Sequence, residues 1–165
     1  VQKMNNYSEL HWDNDDCPFC KRDELAVIFE TSCFLAIYNK FAIVPGHSLL
    51  IAKRHVTKYL TLDPEESKEL FFATRRLISA VMRAYNTETF DFALQEGVPA
   101  GQTIKHLHFH VIPRKINDLG SPDQWYPELL KQKLEHKNPA KQQVPWSEML
   151  KEAQRIGLAA SDEKI

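Results

Sequence analysis

The sequence predicts a domain that mixes short strands with one long helix and a shorter C-terminal one. Three observations carry that expectation. First, His106, His108 and His110 alternate with Leu107, Phe109 and Val111. Period two is the signature of a strand, with three imidazoles on one face and three apolar anchors on the other. The rise of a strand spaces such imidazoles roughly 6–7 Å apart. Second, Phe90, Phe92 and Leu94 alternate in the same way with Asp91, Ala93 and Gln95. Third, Leu70, Phe71, Thr74, Leu77, Ile78, Val81, Met82 and Tyr85 recur at three- and four-residue spacing. That is an amphipathic helix of about six turns.

Length and charge bound the function. At 165 residues the chain is long enough for one domain with a real core. Its formal charge of −1 gives no basic surface for tracking nucleic acid. No apolar run approaches the roughly 18 residues that span a bilayer, so no membrane partner is expected. The first residues, Val1-Gln-Lys-Met-Asn-Asn, hold no apolar signal-peptide core. Three cysteines do not make a disulfide framework, so the expected location is the reduced cytoplasm.

In chain order, residues 1–16 read as a polar arm carrying His11, Trp12, Asp13, Asp15 and Asp16. Cys17-Pro-Phe-Cys20 follows. Its spacing suits two thiolates on one tetrahedral zinc, but also a redox pair or two packed cysteines. Ala26–Phe29 and Cys33–Tyr38 are expected strands joined by a tight turn at Glu30-Thr-Ser, with Cys33 packed in the core. Asn39–His47 leads through the loop punctuators Pro45-Gly46 into a strand over Ser48–Ala52. Taken alone, Asn39 reads as a turn amide and His47 as a satisfied histidine at a strand start. His55-Val-Thr-Lys-Tyr-Leu reads as a short helical turn. Asp63-Pro64-Glu65-Glu66 starts the long helix with a cap, a first-turn proline and a capping-box glutamate. Asn86 suits its left-handed stop. Arg75, Arg76 and Arg83 are expected on a solvated face or a subunit contact. The Gly97–Gln102 loop should join two adjacent antiparallel strands, and Pro113 should end the second of them. A polar loop spans 115–124, with Trp125 and Tyr126 after it as lid or dimer aromatics. Residues 137–145 read as linker, and Trp146–Leu158 as the last helix with Ser147 as a possible cap. The expected organisation is an arm at 1–16, a main domain at 17–136, and a linker and helix at 137–165.

The row of histidines admits two chemistries. It can be a metal site, since neutral imidazole is the commonest metal ligand. It can also be a nucleophilic histidine flanked by helpers. Gly97, Gly101 and Gln102 lie just upstream, in a loop able to approach a phosphate with backbone N–H groups and an amide.

The whole run His106-Leu-His108-Phe-His110-Val-Ile112 resembles the histidine triad family, whose pattern is His-φ-His-φ-His-φ-φ with φ apolar. Gln95–Thr103 before it and Pro113-Arg114-Lys115 after it look like the fragile histidine triad branch, the dinucleoside polyphosphate hydrolases. Here that signature is combined with a zinc-type Cys-x-x-Cys N-terminus. The resemblance implies an α+β fold: about five antiparallel strands, one long helix packed on them and a shorter C-terminal helix, in a homodimer whose sheets join. It implies a nucleotide substrate cleaved at the α-phosphate. His108 would be the nucleophile, its other ring nitrogen donating to a backbone carbonyl, with His110, Gln102 and His106 completing the catalytic set. Asn39, Gln102, Thr103, His108, His110 and Tyr126 would contact the nucleotide, and His47 would support the triad. The purine would lie in an apolar cleft near residues such as Phe34 or Ile37. The resemblance further implies structural zinc on Cys17, Cys20, His55 and His106, which leaves His106 unavailable as a direct acid. A divalent metal can accompany the polyphosphate substrate. Related activities in the same family are a diadenosine tetraphosphate phosphorylase and an adenosine phosphoramidase. A non-catalytic nucleotide-binding module is the alternative of a different class.

Overall fold

Five short segments rich in Val, Ile, Leu and Phe pair into one sheet. In the computed structural model, which describes residues 17–135 and 143–161, these are β1 (Val27–Glu30), β2 (Phe34–Tyr38), β3 (Ser48–Ala52), β4 (Thr89–Leu94) and β5 (His108–Arg114). All neighbours are antiparallel, in the order β1-β2-β3-β5-β4. Three α-helices complete the described residues: α1 (Pro64–Tyr85), α2 (Trp125–Glu135) and α3 (Trp146–Ser161). The expected arm at 1–16 and most of the expected linker lie outside the described residues. No described helix is long and apolar enough to cross a membrane.

α1 begins where its capping chemistry directs. The Asp63 side chain accepts from the Glu66 backbone N–H at 2.8 Å, and the Glu66 carboxylate accepts from the Asp63 N–H at 2.9 Å. Two of the helix's orphan donors are thereby satisfied reciprocally. It stops at Asn86, which takes a left-handed conformation at φ +49°. The short helical turn expected from His55 starts later, at Tyr59–Thr61, and leaves His55 in irregular backbone.

The sheet buries both faces. Phe34, Ala36, Tyr38, Leu50, Ala52, Phe109 and Val111, with Leu107 just ahead of β5, meet Leu70, Leu77 and Val81 of α1 and Met149, Ala153 and Ile156 of α3. Leu35, Ile37, Leu49 and Ile51 point the other way and are covered by Cys17 and Phe19. α3 therefore contributes to the main core. It starts at Trp146, which places Ser147 inside the helix rather than at its cap. Phe34 is corrected as a cleft residue: it is buried under the helices, on the face away from the histidines. Of the arginines expected in solvent, Arg76 lies 4.3 Å over the Phe29 ring and Arg83 donates to Ser79 and to the Ala159 carbonyl.

Pro113 does not end the last strand. β5 runs on to Arg114, with Pro113 opposite Phe90. The reason is the length of β3, whose Ser48 pairs with Val111 and which extends no further. Past that point β5 has no β3 neighbour, so the missing N–H of proline breaks no ladder bond on that side. His106 conversely lies just ahead of the strand; its backbone carbonyl meets His108, while its ring packs edge-on against His55 at 5.0 Å.

Candidate active site and metal cluster

The register of β3 on β5 builds the site. Ile51 lies opposite His108 and Leu49 opposite His110, on the sheet face away from α1. His47 sits one residue before β3, which brings it beside His110. The four imidazoles of His47, His106, His108 and His110 are between 0 and 4% exposed. At that burial each ring nitrogen must be hydrogen-bonded or aimed at a ligand, so the partners fix the tautomers.

His108 Nδ1 lies 2.6 Å from the backbone carbonyl of His106. A carbonyl can only accept, so Nδ1 carries the proton and Nε2 is unprotonated. His110 has the opposite arrangement. The Ile43 backbone N–H donates to His47 Nδ1 at 3.3 Å, which places the His47 proton on Nε2. His47 Nε2 then donates to His110 Nδ1 at 2.9 Å, and the His110 proton is left on Nε2. The Asn39 amide nitrogen also lies against the His47 ring, 3.1 Å from Nε2 and 3.4 Å from Nδ1. The backbone donor decides between the two tautomers, because the direction of its hydrogen is set by the chain. Asn39 itself is oriented by the Phe41 N–H, which donates to its Oδ1 at 3.0 Å. Two adjacent rings, 5.3 Å between centroids, thus offer a nucleophilic nitrogen and an N–H donor.

His106 belongs to a second cluster. Its Nε2 donates to the Ala52 carbonyl at 2.6 Å, which turns an unprotonated Nδ1 toward Cys17 Sγ at 3.3 Å and Cys20 Sγ at 3.7 Å. His55 Nδ1 is 3.3 Å from Cys20 Sγ. The four ligand atoms lie within 4.8 Å of one another. Around a tetrahedral zinc with Zn–S of about 2.3 Å and Zn–N of about 2.0 Å, neighbouring ligand atoms sit roughly 3.3–3.8 Å apart, so the donor set fits. Its chemistry agrees. Burial holds the His106 imidazole below its ordinary value, despite the Ala52 bond, and so keeps it neutral. Burial first, then the hydrogen bond and charge of Cys17, push the Cys20 thiol up to about 11. A divalent cation binds neutral imidazole and displaces thiol protons. The Ala52 carbonyl behind His106 is the kind of partner that orients a metal-bound imidazole. Phe19, between the two cysteines, packs edge-on against His106 at 5.7 Å and His108 at 5.1 Å. The same knuckle that gathers the thiols therefore also bears on His108.

The Gly97–Gln102 loop is tightly closed. Gln102 accepts the Gly97 N–H on its Oε1 at 2.7 Å and donates its own backbone N–H to the Gly97 carbonyl at 3.1 Å. Gly101 has φ +90°, and a Cβ there would fall 2.8 Å from the Tyr126 hydroxyl and 3.1 Å from Gln95 Nε2. Tyr126, in the first turn of α2, thus reaches the loop that holds Gln102. Thr103 is exposed at the loop's end. At the far end of β5, Arg114 donates to both Asp118 oxygens at 2.8 and 2.9 Å, to Asp91 at 2.7 Å and to the Pro122 carbonyl at 3.0 Å. This fastens the connection leading to Tyr126.

Two groups join the named residues without a motif to announce them. Ala52 contributes only a carbonyl, which sequence cannot distinguish from any other. Phe19 sits in an otherwise read motif, and its aromatic character between two ligand cysteines was the available signal.

Comparisons with known proteins agree with this geometry. Residues 21–117 match the family model described as HIT domain. The bis(5'-adenosyl)-triphosphatase of Dictyostelium discoideum is 37% identical over 107 residues, 65% of this chain and 72% of that protein. The asymmetrical bis(5'-nucleosyl)-tetraphosphatase of Schizosaccharomyces pombe is 36% identical over 105 residues, 64% of this chain but only 58% of that one. A crystal structure of a hypothetical histidine triad nucleotide-binding protein from Sulfolobus tokodaii superposes with a TM-score of 0.69, at 25% identity, over 88% of this chain and 93% of that one.

Proposed function

The chain belongs to the HIT domain family, and from that premise we propose that it hydrolyses dinucleoside polyphosphates through a nucleotidyl-histidine intermediate. The observation that carries the proposal is the pair of opposed tautomers. His108 Nδ1 is committed to the His106 carbonyl, which leaves Nε2 as the nucleophile. It attacks the α-phosphorus. The Nε2–P bond forms as the bond from phosphorus to the bridging oxygen breaks, and the remaining nucleotide leaves with its polyphosphate. His110, held through Nδ1 by His47, presents its Nε2–H to the charge that develops on the transferring group. Water then attacks phosphorus, the N–P bond breaks, the nucleoside monophosphate departs and a proton passes to solvent. Nε2 is returned unprotonated.

Gln102, Thr103 and Tyr126 are the proposed contacts to the phosphate chain. Asn39 is the proposed contact on the other side, beside His47. Cys17, Cys20, His55 and His106 are the proposed zinc ligands. Zinc bound there supplies a structural cross-link, while His106 offers its carbonyl to His108. A divalent metal on the substrate polyphosphate is compatible with this scheme. A homodimer is proposed through β4, an edge strand of the sheet among the described residues, supported by aromatic exposure there and on α1: Phe90 and Phe92 are 40 and 43% exposed, Phe71 and Phe72 59 and 49%. The thiols of Cys17, Cys20 and Cys33 suit a reducing, cytoplasmic setting.

The test is chromatographic product analysis with diadenosine triphosphate and tetraphosphate, with and without inorganic phosphate. AMP formed with the complementary nucleotide, independent of phosphate, is the expected result. ADP formation that requires phosphate would make the protein a phosphorylase. Cleavage of adenosine phosphoramidate alone would keep the histidine chemistry and overturn the substrate. His108→Asn should lower kcat on the order of 10⁴-fold or more, and a fully active variant would refute the mechanism.

A further inference from the structure

We propose that Tyr38, Tyr85 and Glu152 form a positioning chain through which α3 sets the orientation of His47 and hence of His110. The proposal rests on the reading of His108 and His110 given above, and goes beyond it to residues outside the imidazole cluster.

The chain starts at the turn that carries His47. Val44-Pro45-Gly46-His47 closes with the His47 N–H donating to the Val44 carbonyl at 3.2 Å, and Gly46 takes φ +90°. Proline then glycine at the two central positions is the type II turn. That turn leaves the Gly46 N–H directed outward, and it donates to the Tyr38 hydroxyl at 3.4 Å. Tyr85 lies beside Tyr38, and its ring packs against the same turn. Tyr85 donates to the Glu152 carboxylate of α3.

Packing makes the chain stiff. A Cβ on Gly46 would fall 2.5 Å from Tyr85 Cε2 and 2.8 Å from Pro113 Cγ, so the turn rests directly on the tyrosine ring. Tyr38 and Tyr85 are 4 and 7% exposed. On the outer side Arg155 closes the chain. Its guanidinium lies 4.6 Å over the Tyr85 ring, pairs with Glu152 at 3.5 Å and donates to the Ala84 carbonyl. The carboxylate is therefore held by a cation as well as by the phenol.

Nothing in this arrangement is required to hold the sheet together. β2 and β3 are already paired from Phe34–Ala52 to Tyr38–Ser48. What the chain adds is control of one backbone N–H, a single residue from an imidazole whose direction fixes the His110 tautomer. A small rotation of the Gly46 peptide moves the His47 ring. Misplacement on the order of 1 Å in a supporting group can lower turnover by as much as about 100-fold. Tyr38, Tyr85 and Glu152 are positioning residues in this account and contact no substrate.

The experiment compares full-length wild type with Tyr85→Phe, Glu152→Leu and Glu152→Gln. It follows kcat and KM on the dinucleoside polyphosphate that the wild type cleaves, and long-range ¹H–¹⁵N spectra of the histidine ring nitrogens. Tyr85→Phe and Glu152→Leu should lower kcat about 10-fold with KM little changed, and should shift the ring nitrogens of His47 and His110. Glu152→Gln retains an acceptor for the phenol and should return both readouts to near wild type. A kcat that falls without movement of the His47 and His110 signals, or folded variants with wild-type kcat, would overturn the proposal. Variants too unstable for kinetics are read by the spectra of their folded fraction, where unchanged His47 and His110 signals count equally against it. An inactive wild type would refute the hydrolase reading instead, while the spectra would still decide whether α3 orients His47.

Discussion

His108 is held between two supports that differ in kind. On one side stands the Cys17, Cys20, His55 and His106 cluster, whose four ligand atoms converge within 4.8 Å. On the other stands a line of hydrogen bonds from Ile43 through His47 to His110. The first draws residues 17–20, 55 and 106 to one point and, with a cation, becomes a closed coordination cage. It reaches His108 through the His106 carbonyl and the edge of the Phe19 ring. The second is built mostly from neighbours in sequence, Asn39 to His47, and touches only the adjacent triad member. A cage of coordinate bonds is rigid and fails as a unit. A hydrogen-bonded line is directional, and each link is worth only about 1 kcal/mol net. In the proposed mechanism, the nucleophile's tautomer would thus rest on the stiff support and the donor's tautomer on the soft one. This division suits the chemistry, because a nucleophile must not lose its lone pair, whereas a donor must follow charge as it develops.

The largest expected effect breaks the stiff side. Cys17→Ser should reduce bound zinc from one ion per chain to substoichiometric levels, read by elemental analysis of the purified protein. It should also lower unfolding free energy by roughly 4 kcal/mol at a cation concentration 1,000-fold above Kd. Retention of a full equivalent of zinc, or an unchanged denaturation midpoint, would remove the cage from the account. The soft side should fail differently. His47→Asn should lower kcat by about 10- to 100-fold while zinc content stays at one per chain. Loss of zinc in that variant would show that the two supports are one, and the contrast would collapse.

The same contrast separates what the sequence discloses from what it withholds. Asp63, Pro64, Glu66 and Asn86 announce α1 because capping is local chemistry, settled within a few residues. The alternation from His106 to Val111 announces which face carries imidazoles for the same reason. Cys17, Cys20, His55 and His106 were assembled only by family resemblance; no local rule joins positions 89 residues apart. β2 gives no phase at all, since every residue from Phe34 to Tyr38 is buried and both sheet faces are apolar. That is why Phe34 could be placed on the histidine face. The strand's continuation through Pro113 depends on where β3 stops, which is a property of a neighbour rather than of the proline. Tyr38, Tyr85 and Glu152 carry no motif, and the contact of Tyr85 with Glu152 spans 67 residues between helices.

The smallest expected effect lies beyond both supports, at the far end of β5. Arg114 donates to both oxygens of Asp118, and these hydrogen bonds, first among the causes, hold the Asp118 carboxyl below the usual carboxylate range. A carboxylate depressed on folding contributes stability that is fully present above its unfolded pKa. The contribution is lost as pH falls through the lower, folded value. Asp118→Asn should therefore be less stable than wild type near neutrality, by about 2 kcal/mol, the scale of hydrogen bonds to a charged group. The gap should close in acid, once the wild-type carboxyl is itself protonated. Denaturant titrations of the two proteins from neutral to strongly acidic pH measure it. A gap independent of pH would mean that Asp118 acts through shape alone. A closing gap with unaltered zinc content and kcat would confine this ion pair to anchoring the connection toward Tyr126, leaving the tautomers of His108 and His110 to the two supports nearer the site.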